Sequence, residues 1–309
     1  MTTAPARPAA RTDARPSRFR LHTGALGSLL AVFYVVLWAS AYVPSKIGAT
    51  ATPPLWFLVG RFLAAGIVMA AIAIALRRPF PTNARHWLAY ALLGVLANAA
   101  YLGLTYIALG RGLAAGIGSI VASTNPLILA IIAPRLLGEP MTWRRGVGLI
   151  LGFAGVVAVM LARTGTSTAR PSEVGLALIG VMSNVASTIL FKRARGSTDL
   201  LTINTIQLLA AGLALIPVAA LVGAPGMIEL SPQVIASFAY LVAVLSVGAS
   251  LLWFWLLSRG AASRVSAYYF LTPIFGLIFG ATFLGEQIGP GDLVGLVAVA
   301  AGIVLVQRG

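Results

Sequence analysis

The sequence predicts an all-α integral membrane protein: ten transmembrane helices in a 5+5 inverted-topology repeat, with both termini cytoplasmic. Three observations predict it. Hydrophobic side chains make up 59% of the chain and charged ones 9%, with a mean hydropathy of +0.94, whereas a soluble domain is roughly 25% charged. So few polar residues cannot cover a water-facing surface, and the chain is too apolar for disorder. Apolar segments near spanning length recur along the chain. The second half then repeats landmarks of the first at a near-constant offset.

Residues 1–23 are rich in Pro and Arg. They are too long and too charged for a cleaved signal peptide and read as a disordered cytosolic arm. The first apolar segment, 26–46, carries Tyr34, Trp38 and Tyr42 at i, i+4 and i+8, on one helical face. The second, 54–76, holds Arg61, the one basic residue well inside a span. The stretch 87–134 is too long for a single crossing. It divides at Gly110-Arg111-Gly112 into 87–109, with Asn98 and Tyr101, and 113–134, with Ser123, Asn125 and Pro126.

The fifth segment, 144–162, completes a first repeat over 24–163, and 164–172 is the inter-repeat loop. The second repeat, 173–309, contains 173–191, 201–222 with Gln207, 233–257, 264–284 with Tyr268 and Pro273, and 291–307. Each segment is near the roughly 20 residues that a helix needs to cross hydrocarbon. None alternates as a barrel strand would.

The charges set the orientation. With the N-terminus inside, the outer connections hold only Lys46, Arg111, Arg163 and Arg170, and Arg61 lies within a span; the other 17 of the 22 basic residues fall inside. That bias is the positive-inside pattern, and it accounts for the net charge of +15 without any nucleic-acid partner.

Pro126, Leu137-Gly138-Glu139, Gly148 and Gly155 recur as Pro273, Leu284-Gly285-Glu286, Gly295 and Gly302. Arg61-Phe62-Leu63-Ala64-Ala65-Gly66 aligns with Gln207-Leu208-Leu209-Ala210-Ala211-Gly212 at nearly the same offset. Five spans per half invert the second half relative to the first, a transporter architecture.

Several functions are excluded. There is no Cys and only two His, so no thiolate chemistry or metal site is expected. The Gly-rich runs lack a Gly-Lys-Ser/Thr ending, so no P-loop is present. No nucleophile–base pair is identifiable, so the chain reads as no enzyme and as needing no cofactor. All seven acidic residues fall in the arm, in loops or at helix ends. No midplane carboxylate offers an ion- or proton-coupling site.

Two roles stand open for most candidates. Arg61 either snorkels to the outer interface or faces a cavity and attracts a substrate carboxylate. Gln207, its repeat partner, keeps the polarity without the charge. The Tyr34, Trp38 and Tyr42 stripe faces lipid or walls a pocket together with Asn98, Tyr101 and Tyr268. Ser123 and Asn125 are expected to face water or protein. Pro126 and Pro273 are expected to break their helices and serve gating or packing.

The order Trp38-Ala39-Ser40-Ala41-Tyr42 to Lys46, Arg61 to Ala65, Pro126 to Gly148 and Leu271-Thr272-Pro273 to Gly295 resembles the drug/metabolite transporter superfamily, in its ten-helix EamA-type branch. Within it, the aromatic first segment is similar to the YddG-type amino-acid exporters. The resemblance implies an inner-membrane secondary transporter with a central cavity that exports small metabolites by alternating access. Aromatic or other apolar amino acids are the substrates it suggests, with another metabolite or drug class, or a passive pore, as the alternatives. The partners it implies are a small molecule and the lipid bilayer.

Overall fold

The computed structural model describes residues 25–111, 121–122, 124–138, 141–163, 171–222, 230–260, 262–272, 274–275, 278–279, 282 and 290–308. The expected N-terminal arm, Ser123, Glu139, Pro273 and Glu286 lie outside them. Within residues 25–163, α1 (Ala25–Ser40), α2 (Tyr42–Ala51) and α3 (Pro54–Ala75) are followed by α4 (Ala84–Gly94). A π-helical stretch, Val95–Ala100, leads into α5 (Tyr101–Gly110), with α6 (Asn125–Leu137) and α7 (Trp143–Arg163) beyond. In the second half come α8 (Pro171–Ala194), α9 (Leu200–Val222) and α10 (Pro232–Tyr240). A second π stretch, Leu241–Ala249, runs into α11 (Ser250–Arg259). Then follow α12 (Ala262–Ala267), a 3-10 turn at Tyr268–Leu271, and α13 (Pro290–Arg308).

The expectation of ten spans is corrected. Among the described residues six helices are long and apolar enough to cross a membrane: Leu26–Ser45, Pro54–Ala75, Ala84–Ala108, Pro171–Ala194, Leu200–Val222 and Pro232–Arg259. Each of the other four segments includes residues or side chains outside what the structure describes. α7 runs the 21 residues Trp143–Arg163. Within 113–134 a new helix starts at Asn125 and runs only 13 residues, ending where Gly138 adopts the left-handed conformation at φ 65°. Within 264–284 the six-residue α12 gives way to a 3-10 turn. In α13 the apolar run is confined to Leu293–Val306. The outer surface is apolar: Leu29, Ile67, Ile74, Ile150, Ile179, Leu213 and Leu221 are all exposed, as lipid-facing side chains would be.

The two halves meet through reciprocal close contacts. A Cβ on Gly66 would lie 2.7 Å from the Leu209 side chain, and one on Gly212 would lie 2.7 Å from that of Leu63. Position 66 on α3 thus faces 209 on α9, and 63 faces 212, so the helices run antiparallel under a two-fold relation. A second pair behaves alike: a Cβ on Gly148 would lie 2.6 Å from the Gly302 carbonyl, and one on Gly155 2.7 Å from that of Gly295. Small residues let these backbones approach where larger ones could not. The π-helical stretches occupy repeat-related places, starting at Val95 and Leu241.

Candidate functional site

Tyr34 and Trp38 of α1 stack at 6.1 Å, one turn apart as their spacing requires. The second half supplies two further rings. Trp253 stacks on Tyr34 at 5.1 Å, and Tyr269 presents its edge to Tyr34, Trp38 and Trp253 at 5.8, 6.1 and 4.9 Å. These are the offset and edge geometries that ring quadrupoles favour. The Tyr34 and Tyr269 hydroxyls share a hydrogen bond of 2.7 Å, so the rings are tied at their polar tips as well as their faces. Tyr34 is 2% exposed. Trp38 also packs against the apolar cluster that contains Tyr101, Val121 and Val181, which brings two sequence-predicted site residues together across α1, α5 and α8. Two residues beyond Trp38, the Ser40 and Tyr240 hydroxyls are 2.6 Å apart, joining α1 to α10.

A second, polar cluster lies where α3, α9 and the second π stretch meet. Arg61 is 5% exposed and donates through Nε to the Ser246 hydroxyl at 2.8 Å. Buried within the protein, its side chain does not snorkel to an interface as one of its two expected roles requires. The Tyr106 hydroxyl lies beside the same guanidinium. Asn204 donates to the Ser250 hydroxyl at 2.7 Å and to the Ser246 carbonyl at 3.4 Å, and Gln207 donates to the Asn204 side-chain oxygen. Arg61 and Gln207 therefore belong to one network, linked through Ser246 and Asn204.

The other expected residues scatter. The Tyr268 hydroxyl donates to Ser28 at 2.9 Å, and its neighbour Tyr269 takes the place among the rings. Asn98 is half-buried within the first π stretch. Asn125 is buried at the first residue of α6. Pro126 follows it in the opening turn, where a proline sacrifices no hydrogen bond. The two residues 121–122 before it are helical and Thr124 is a turn; among the described residues, the prolines further along helices are Pro134 and Pro217. The side chain of Tyr42, like Ser123 and Pro273, is outside what the structure describes.

Trp253, Tyr240, Ser246 and Asn204 were not singled out by the sequence. A faint signal existed for Trp253, since the repeat offset places it opposite Tyr106.

At the end of the bundle that carries most of the basic residues, polar contacts strap the halves together. Arg193 donates to the Leu136 carbonyl at 2.7 Å, capping α6; within the second half, Lys192 donates to the Gly260 carbonyl after α11. Arg78 pairs with Asp199 at 3.4 Å, and the Tyr90 hydroxyl donates to Thr198 at 2.7 Å. Burial, and then the like charge of Arg259, lower the Arg195 pKa below the usual guanidinium range.

Comparison with known proteins places this architecture. The chain is 29% identical over 284 residues to the uncharacterized transporter YvbV of Bacillus subtilis, covering 91% of each. It is 27% identical to the uncharacterized inner membrane transporter YedA of Escherichia coli K12, over 94% of this chain and 93% of that one. The protein PecM of Dickeya dadantii is 27% identical over 88% of this chain and 89% of its own length. One crystal structure shares the fold at a TM-score of 0.74, with 17% identity, over 92% of this chain and 96% of its own. The profile of the EamA-like transporter family matches twice, at residues 25–161 and 171–308. The chain is a multi-pass membrane protein, a transporter and not an enzyme, and it belongs to the EamA-like transporter family.

Proposed function

We propose that this transporter carries small organic metabolites with a flat or apolar portion, bound among Tyr34, Trp38, Trp253 and Tyr269. The observation that carries the reading is the ring cluster itself. Two rings come from each half, all lie within 4.9–6.1 Å of a neighbour, and two hydroxyls sit among them. Because both halves contribute, rocking one against the other opens or closes the spacing between rings, which is what alternating access around a fixed site requires. The straps at Arg193, Arg78 and Tyr90 must break on one side of that cycle. We assign that basic end, and with it both termini, to the cytoplasm on the positive-inside bias. The repeats we propose as moving units are 24–163 and 173–309.

Among the substrates that such rings accept, aromatic and apolar amino acids form one class, and flat metabolites or drugs of other chemistry form another. Export is the direction we assign. Proteoliposomes holding the full chain and a panel of radiolabelled amino acids, nucleosides and planar organic compounds test the reading. Saturable flux with counterflow for a ring-bearing compound is the expected result. Flux that never saturates would mean a pore, and no flux for any flat compound would overturn the ring site.

A further inference from the structure

We propose that Arg61, Ser246 and Tyr106 form a seat for a monovalent anion at the middle of the membrane. Depth comes first. The span Pro232–Arg259 is 28 residues long and Ser246 is at its centre, about 20 Å from either end at 1.5 Å per residue. The Arg61–Ser246 bond therefore holds a guanidinium where charge is most costly.

Among the described residues the charge has no acidic partner. The sequence contains no acidic residue between Asp13 and Glu139, between Asp199 and Glu229, or between Glu229 and Glu286. α3 and the elements packed against it (α2, α5, α9 and the second π stretch) are thus all without an acid. Its partners are hydroxyls and the Phe62 ring, 5.6 Å from the guanidinium carbon, which stabilise a cation without neutralising it. A buried, uncompensated cation is unfavourable unless a mobile anion completes it.

The donors are already in place. Arg61 uses Nε on Ser246, and its terminal amino groups, which face the side of the Tyr106 hydroxyl, are the donors a planar or spherical anion would meet. The Tyr106 hydroxyl, in a side chain 7% exposed and beside that guanidinium, has no acceptor for its own proton among the described residues. An anion between Arg61 and Tyr106 would satisfy both groups. Two sources supply such chemistry: the carboxylate of the transported molecule and a free halide. The first deepens the transport reading, while the seat itself stands independently of it.

The test is a binding measurement on the purified full chain in nanodiscs. The thermal unfolding midpoint is followed while chloride replaces the bulky sulfonate isethionate at constant ionic strength. A parallel series titrates alanine against alaninamide in isethionate alone. The wild-type midpoint is expected to rise saturably in one series. A response to chloride identifies a free anion, and a response to alanine but not to alaninamide identifies a substrate carboxylate. Arg61→Gln is expected to abolish the response, and Tyr106→Phe to require about tenfold more anion, the loss expected for one hydrogen bond to a charged group. Should Arg61→Gln not fold, Tyr106→Phe and Ser246→Ala carry the test. A wild-type midpoint flat in both series, or Tyr106→Phe and Ser246→Ala responding at unchanged concentrations, would overturn the seat. Transport assays do not enter, so failure of the ring-site reading is seen separately.

Discussion

Gly94→Ala is expected to remove most of the folded protein, whereas Gly146→Ala is expected to leave the yield and the unfolding midpoint unchanged. Gly94 closes α4 just before the first π stretch and lies directly against the backbone of α9. A methyl there would overlap the Gln207 carbonyl oxygen and fall 2.5 Å from the Gln207 Cα. Side chains can rotate away from such an intrusion, but the backbone of a packed helix cannot. Overpacking costs about 1–3 kcal/mol where neighbours can adjust and more where they cannot, against a total stability of only about 5–15 kcal/mol in folded proteins generally. Relief would require α9 to shift, disturbing the α3–α9 contact at Gly66 and Gly212 and the Gln207–Asn204 bond. Gly146 is the matched control, because a Cβ there meets nothing within 4 Å. Size-exclusion profiles and thermal unfolding of both variants in detergent decide the matter. A monodisperse Gly94→Ala protein with the parental midpoint would show that α4 and α9 are not so closely apposed.

How much of this was legible in the sequence depends on which physical signal each feature leaves. The two-fold relation was visible because Gly148, Gly155 and Gly302 sit where an added Cβ would come within 2.6–2.7 Å of a facing backbone carbonyl, and only glycine satisfies that. The number of long apolar helices was not, because hydropathy sees composition over a window. It does not register that Asn125 restarts a helix or that Tyr268–Leu271 tightens into a 3-10 turn. Within that turn Tyr269 joins the rings and Tyr268 bonds to Ser28. Tyr34 and Trp38 were legible from spacing along a single helix. Trp253 was not, because contact between residues more than 200 positions apart leaves no periodicity. Arg61 was conspicuous by charge and depth, but its partner Ser246 is a common residue in a run of apolar ones, and nothing in the sequence sets it apart.

Trp253→Ala is expected to cause the largest loss of transport affinity of any single change among the rings. Trp253 is buried at the centre of the cluster, stacked on Tyr34 at 5.1 Å and meeting Tyr269 edge-on at 4.9 Å. A flat substrate seated between the halves would contact Trp253 together with a tyrosine from each. Each aromatic pair contributes about 0.5–1.5 kcal/mol beyond its buried area, so losing two corresponds to an apparent KM raised by about tenfold or more. Trp253→Phe keeps a ring face and is expected to stay close to wild type. Tyr34→Phe with Tyr269→Phe removes only the hydroxyl pair at 2.7 Å. As singles and as a double, these variants form a cycle whose coupling separates the hydroxyl bond from the ring contacts. Truncating a buried tryptophan also costs about 3–5 kcal/mol of stability, so every rate is normalised to folded, inserted protein. The discriminating comparison is between ring-bearing and small apolar substrates. A KM rise confined to ring-bearing compounds places Trp253 against the substrate. An equal rise for both classes, with Trp253→Phe as impaired as Trp253→Ala, would assign it to packing between α1 and α11 and remove it from the binding site.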